Sequence, residues 1–148
     1  MSEFIKNKKV GLNYEILETF EAGIELLGHE VKTIRGKRGS LEGSHITIRG
    51  GEAFLIGSHL PPYQSKNVES SYDSHRNRRL LLSKKEIALL GGAESKKGLT
   101  VVPVSMYSKG RKIKVSVAIA RGKKKYDRRA TLKKRESKRE IERTLKYR

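Results

Sequence analysis

The sequence contains no cysteine, so disulfides and the structural zinc sites that depend on cysteine are excluded. No stretch approaches the roughly 18 apolar residues of a membrane-spanning helix. The opening Met1-Ser-Glu-Phe-Ile-Lys6 lacks the basic-then-apolar order of a signal peptide. Neither membrane insertion nor secretion is expected, and the expected location is cytoplasmic. Acidic residues are few: 16 Asp and Glu stand against 34 Lys and Arg, a net +18 over 148 residues. Such a surplus repels itself and is best tolerated beside a polyanion. Nucleic acid is the leading candidate and anionic membrane the second.

Catalytic strings are also missing. His29, His45, His59 and His75 are scattered, and His29-Glu30 is only half of an H-E-x-x-H metal motif. There is no Gly-x-Ser-x-Gly elbow and no phosphate loop. Glu15, Glu18, Glu21 and Glu25 form no evident working pair. No enzyme, metal or cofactor is expected. An RNA-acting nuclease using His29 or Glu30 is the minority alternative.

What is present reads as mostly β. Lys112–Ala120 alternates, with Ile113, Val115, Val117 and Ile119 on one side and Lys114 and Ser116 on the other. With Leu99–Tyr107 it makes a hairpin turning at Ser108-Lys109-Gly110. Pro103 has no N–H to donate, so its strand is expected at an edge or to bulge there. Ser44–Arg49 and Glu52–Gly57 form a second hairpin about Gly50-Gly51. Asn13–Phe20 reads as another strand. Ile24–Val31 leans towards strand, with a short helix possible at its end. Ser83 and Glu86 form a capping box opening a helix that Gly91-Gly92 should weaken or end. Short, closely spaced strands suit a closed or nearly closed antiparallel barrel.

Charge divides the chain near Arg121. Residues 121–148 hold 14 Lys/Arg and 4 Asp/Glu, a net +10 against +8 for the rest. The expected division is a barrel over 1–121 and a basic tail over 122–148. No Gly or Pro interrupts 123–148. Ile141 and Leu145 would share a helix face, and Glu142 to Lys146 is a favourable pair. Alone, such a helix buries too little to offset ordering costs of ~1–2 kcal/mol per residue. The tail is expected to be disordered when free and helical when docked.

Within the body, Arg76/Arg78/Arg79, Lys6/Lys8/Lys9 and Lys109/Arg111/Lys112/Lys114 suggest basic ground. Tyr14, Tyr63, Tyr72 and Tyr107 could stack on bases or belong to the core or rim. Gly36-Lys37-Arg38-Gly39 has the form of a backbone clamp, but that clamp sits between two helices, so a plain basic turn is the favoured reading.

Several strings resemble the small protein B family, the SsrA-binding proteins of bacterial ribosome rescue. They are Phe20-Glu-Ala-Gly-Ile-Glu-Leu-Leu-Gly-His-Glu-Val-Lys-Thr-Ile-Arg35, Gly51-Glu-Ala-Phe-Leu55, Arg78-Arg-Leu-Leu-Leu-Ser83, Thr100-Val-Val-Pro103 and Gly122-Lys-Lys-Lys-Tyr-Asp-Arg-Arg129. The resemblance implies an oligonucleotide-binding-fold-like antiparallel β-barrel with short helices that holds the tRNA-like domain of transfer-messenger RNA and stands in for its missing anticodon arm. It also implies that the tail enters the empty mRNA channel near the decoding centre of the small ribosomal subunit, with elongation factor Tu in the delivery complex. No DNA or membrane partner is implied.

By the same resemblance, RNA contact on the barrel falls to Asn7, Glu21, Leu81 and Lys114, with Lys32, Arg35, Lys37 and Arg38 as an extended patch. Ribosome contact falls to Gly122, Lys123, Lys124, Lys125, Tyr126, Asp127, Arg128, Arg129, Lys133, Lys134 and Arg135. Lys123, Lys124, Lys125, Arg128 and Arg129 would attract phosphate, while Tyr126 would stack on a base. Tyr126 stands where the family often has His, and Ser74 where a proline is common. The competing reading is a ribosomal protein or general RNA chaperone of the same barrel class.

Overall fold

The computed structural model describes residues 2–63 and 70–146, with side chains at 3–63, 70–124 and 128–143. Along the chain come strand β1 (Ser2–Lys6), helix α1 (Val10–Asn13), β2 (Tyr14–Ile24), α2 (Gly28–Arg35), β3 (His45–Arg49), β4 (Glu52–Ile56), β5 (Arg78–Leu81), α3 (Lys84–Glu94), β6 (Leu99–Lys109), β7 (Lys112–Gly122) and α4 (Lys125–Lys146). All strand pairings are antiparallel, in the order β1-β6-β7-β2-β5-β4-β3. The sheet curls until β3 packs near β6. Among the described residues no ladder joins its two ends, so in place of the closed or nearly closed barrel stands an open curled sheet.

One reason for the opening is visible at β3. Its Ile48 N–H donates to Glu94 Oε2 of α3 at 3.1 Å, so a helix satisfies the edge that a strand would otherwise pair. The inner face holds a core that includes Ile34, Leu41, Ile46, Leu55, Leu80, Leu90, Met106, Val115 and Val117. A smaller cluster of Val10, Val102, Ala118 and Ala120, with Tyr14 and Val104, lies separately beside α1.

Both hairpins form as their sequences require. Gly50 and Gly51 sit at φ 58° and 73°, and Gly110 at φ 62°, the left-handed region that tight hairpin turns use. Pro103 takes the second of its two expected places. β6 lies between β1 and β7, and the register shifts between Pro103 and Ser105. The Asn7 side chain holds that bulge, its Nδ2 donating to Pro103 O at 2.9 Å.

Two expectations are met only in part. The segment 24–31 is not mainly strand: β2 ends at Ile24, and the short helix allowed at its end is α2, which starts at Gly28. Glu30 sits three residues after Leu27 and accepts the Leu27 N–H at 2.7 Å, which opens the helix. Glu30, Thr33 and Ile34 are its buried face, and a buried glutamate hides a helical period from any apolar pattern. Nor do Gly91-Gly92 end α3, which runs on to Glu94. Buried Leu90 and Ala93 hold that turn, offsetting the ~1 kcal/mol that each glycine costs a helix. A Cβ on Gly91 would meet Ile48 at 3.6 Å, so the helix packs closely on β3.

The Gly36–Gly39 segment is a plain helix-ending turn. Lys37 adopts φ 59°, Lys37 N–H bonds Ile34 O, and Arg38 N–H bonds Thr33 O, a Schellman closure. A Cβ on Gly39 would lie 2.8 Å from Leu60 Cδ2 and 2.9 Å from His59 O. The second glycine therefore serves packing.

Candidate nucleic-acid interface

The strand register assembles one row across the outer face. Tyr107 of β6 pairs with Lys114 of β7, Lys114 with Gly23 of β2, and Gly23 with Leu81 of β5. Side chains of directly opposed residues share a face, and the alternate positions Met106, Val115 and Leu80 enter the core. Leu81 is 48 % exposed, so it lies outside the core. A Cβ on Gly23 would come within 3.1 Å of Leu81 Cβ, so the missing side chain lets Leu81 lie across the strand.

Glu21 stands two residues before Gly23 on the same face. Tyr107 Oη donates to its Oε2 at 2.5 Å, and Lys109 Nζ donates to its Oε1 at 3.0 Å. The tyrosine bond first and the lysine bond second hold its carboxyl below the usual range. Reciprocally, burial, then the bond to Glu21, pushes the Tyr107 hydroxyl up to about 12. Glu21 is therefore a charged acceptor fixed in direction, while Lys114 supplies positive charge beside it.

This row joins a second basic surface. Arg35 of α2 donates to Arg111 O at the β6–β7 turn at 2.9 Å, and its guanidinium lies 5.9 Å from the Phe4 ring centre. Lys32 lies 5.9 Å from the centre of the Tyr63 ring. Lys32, Arg35, Lys37 and Arg38 are all exposed. Basic side chains thus run from α2 over the hairpin tip to Glu21 and Lys114.

A buried ion-pair network holds α2 in place. Glu30 and Arg78 side chains are fully buried and meet at 2.7 Å. Arg76 and Tyr72 also donate to Glu30, and Arg78 further donates to Ser58 Oγ and Ser74 O. Burial raises the Glu30 carboxyl, but bonds from Arg76, the Leu27 N–H and Arg78 overcome it and hold the group down at about 2. The expected basic ground at Arg76/Arg78/Arg79 is corrected by this geometry. The first two arginines face an internal carboxylate, and Arg79 pairs with Glu25 and Glu52.

Glu21, Leu81 and Lys114 come together; Asn7 does not. Asn7 is buried, its N–H bonding Val104 O and its amide the bulge. It borders a separate cleft of about 520 Å3, lined also by Asn13, Tyr14 and His45 and flanked by the Lys9–Glu42 ion pair at 2.7 Å. Of the four tyrosines, Tyr72 and Tyr107 are engaged with carboxylates and Tyr14 packs beside α1. Tyr63 alone among them is exposed.

The tail begins where Gly122 closes β7 opposite Tyr14. Lys123 is tied down on both sides: its N–H donates to Asn13 O at 2.8 Å, and its Nζ to Gly11 O at 2.9 Å and Thr131 Oγ1 at 2.8 Å. It fastens α4 to α1, a role hidden within a basic run. Arg128 Nε donates to Lys123 O at 3.3 Å. Lys124, Arg128, Arg129, Lys133, Lys134 and Arg135 are exposed. Lys125, Tyr126 and Asp127 form the first turn of α4, and their side chains lie outside the described residues. Among the described residues no group of three His, Cys, Asp or Glu side chains could hold a metal, and no helix is long and apolar enough to cross a membrane.

A family model described as "SmpB protein" matches residues 4–147. The chain belongs to the SmpB family. An SsrA-binding protein of Thermosynechococcus vestitus is 47 % identical over 143 residues, covering 97 % of this chain and 94 % of that protein. One from Clostridium acetobutylicum is 46 % identical over 140 residues, covering 95 % and 90 %. A solved structure described as "tmRNA-SmpB: a journey to the center of the bacterial ribosome" matches with a TM-score of 0.69 and 41 % identity, over 82 % of this chain and 85 % of that one. SmpB proteins are non-enzymatic and bind RNA, so this chain has no catalytic assignment to fill.

Proposed function

We propose that this protein is an adaptor for ribosome rescue by trans-translation, with the curled sheet as its oligonucleotide-binding-fold-like body. The near-full-length similarity to SsrA-binding proteins carries the reading. The body holds the tRNA-like domain of transfer-messenger RNA through Glu21, Leu81 and Lys114, with Lys32, Arg35, Lys37 and Arg38 as flanking phosphate contacts. Leu81 offers an apolar plate to an unstacked base, Lys114 offers charge to phosphate, and Glu21 accepts from base or sugar donors. Asn7 acts from beneath, by holding the bulge at Pro103.

The tail, residues 122–148, enters the vacant mRNA channel of a stalled ribosome near the decoding centre, in the cytoplasm, with elongation factor Tu in the delivery complex. Lys124, Lys125, Arg128, Arg129, Lys133, Lys134 and Arg135 supply phosphate attraction, Tyr126 stacks, and Asp127 orients a neighbouring cation. Lys123 and Gly122 set where the tail leaves the body. Leu132 and Ile141 of α4 are 50 % and 61 % exposed, which supports a helix that frays in the free chain and is completed on docking.

Deleting residues 122–148 tests the division. Binding to the tRNA-like domain should persist while rescue of stalled ribosomes is lost; equal loss of both refutes it. A general RNA chaperone would show no preference for the tRNA-like domain over bulk ribosomal RNA at physiological salt.

A further inference from the structure

From Val10 to Val31, 22 consecutive positions contain no Lys or Arg but five of the chain's 16 acids. Of these acids Glu30 is buried, Glu25 pairs with Arg79 and Glu21 belongs to the proposed RNA-contacting row, so the acidic surface that β2 adds elsewhere is Glu15 and Glu18, which repel phosphate. The stretch contains β2, whose edges are unequally used. β7 pairs with it from Tyr14 to Gly23, whereas β5 reaches only Gly23 and Ile24. Among the described residues nothing pairs with the β5-side edge from Tyr14 to Ala22.

That edge is accessible. Glu15, Ile16, Leu17, Glu18 and Thr19 are all exposed. A bulge between Ile16 and Glu18 breaks the alternation, so Ile16 and Leu17 stand out side by side, 38 % and 44 % exposed. The Glu25 N–H donates to Arg79 O of β5 at 3.0 Å. By the two-residue repeat of a strand, Glu21 and Thr19 then turn their peptide groups towards the same, open side. Charge and a bulge are also how proteins guard an edge against aggregation, but a guarded edge has no use for two neighbouring exposed aliphatic side chains. Glu15 meets Arg121 only at 3.9 Å.

We propose that the open edge of β2 is a docking site for an extended, Lys/Arg-rich segment of another protein, added to the sheet as a further strand. Main-chain hydrogen bonds to the free edge give affinity. Glu15 and Glu18 select cationic side chains and repel RNA, while Ile16 and Leu17 receive apolar ones. The site is distinct from the row of Glu21, Lys114 and Leu81, which lies on the sheet's face.

The test is an amide-exchange and NMR titration of the full-length, RNA-free protein with a short peptide of alternating lysine and valine. The controls are the same peptide N-methylated at alternate residues and a glutamate–valine peptide. Exchange at Thr19 and Glu21 should slow by about tenfold with the lysine–valine peptide alone, and Leu17→Lys with Glu18→Lys should abolish the effect. Equal response to the N-methylated peptide means charge attraction without strand addition and overturns the proposal. So does no response at roughly millimolar peptide, or concentration-dependent protection without peptide, which would make the occupant a second copy. The double variant should keep its affinity for the tRNA-like domain. Loss of that affinity would assign the edge to RNA and sink this proposal while leaving the RNA reading intact.

Discussion

Helices α2 and α4 are held to the molecule in opposite ways. α2 has 8 residues, yet its Glu30 is sealed inside the protein with Arg78, Arg76 and Tyr72 around it. α4 has 22 residues, and among the described residues its polar tie to α1 runs through the Lys123 ammonium. Length is a poor guide to how firmly a helix is fixed; what counts is how many desolvated partners would be orphaned by its departure. The contrast matches the proposed roles, a fixed basic face on the body and an arm able to change partners.

The largest effect should come from breaking the α2 anchor. Arg78→Ala removes the fully buried cation of the pair and leaves Glu30 to Arg76, Tyr72 and the Leu27 N–H, a loss of about 3 kcal/mol, the lower end for a broken buried pair, measurable by urea unfolding. Lys123→Met should leave the body's unfolding midpoint almost unchanged. If the two substitutions destabilise the body equally, the contrast between the helices is wrong.

Acid titration sharpens the same contrast. Glu30 is held at about 2, below its ordinary 4.5. Its contribution is therefore fully present above about pH 4.5 and is lost as pH falls through 2, amounting to about 3 kcal/mol. Other carboxylates titrate in the same window, so the informative quantity is the difference from Glu30→Gln. That variant should show a shallower loss of stability between those pH values, by up to one proton in the slope.

Much of this fold was legible because local rules agreed with the tertiary outcome. Ser83 and Glu86 opened a helix by exchanging hydrogen bonds, Gly50-Gly51 turned a hairpin, and the Ile113–Ile119 alternation placed Lys114 off the core side. The misreadings arose where a distant partner overrode local pattern. Glu30 reads as a surface acid until Arg78, 48 positions away, is set beside it, and the basic string at 76–79 reads as surface until two members turn inward. Glu21, Leu81 and Lys114 came from family resemblance, but their convergence depends on strand register, which no single segment displays. Lys123 differs from its neighbours only through contacts made after folding.

Breaking the tail's fastening should have a smaller, local effect. Without the Lys123 ammonium, Gly11 O and Thr131 Oγ1 each lose the bond it gives them, worth about 1.5–3 kcal/mol for a charged donor. Lys123→Met keeps the aliphatic stem and removes the charge. Amide exchange in the first turns of α4 should quicken by about tenfold, while exchange in β6 and β7 stays as it was. Thr131→Val should reproduce part of that quickening, because Gly11 O still accepts from Lys123. Gly11→Ala is the control: its Cβ would meet the far end of the exposed Arg135 side chain at 3.2 Å and would leave the Gly11 O acceptor in place, so exchange in α4 should stay nearly as it was. Two substitutions, at Lys123 just before α4 and at Thr131 within it, would then loosen one segment and spare the rest. Should exchange quicken throughout the sheet instead, α4 would be an integral part of the body rather than an arm fastened to it.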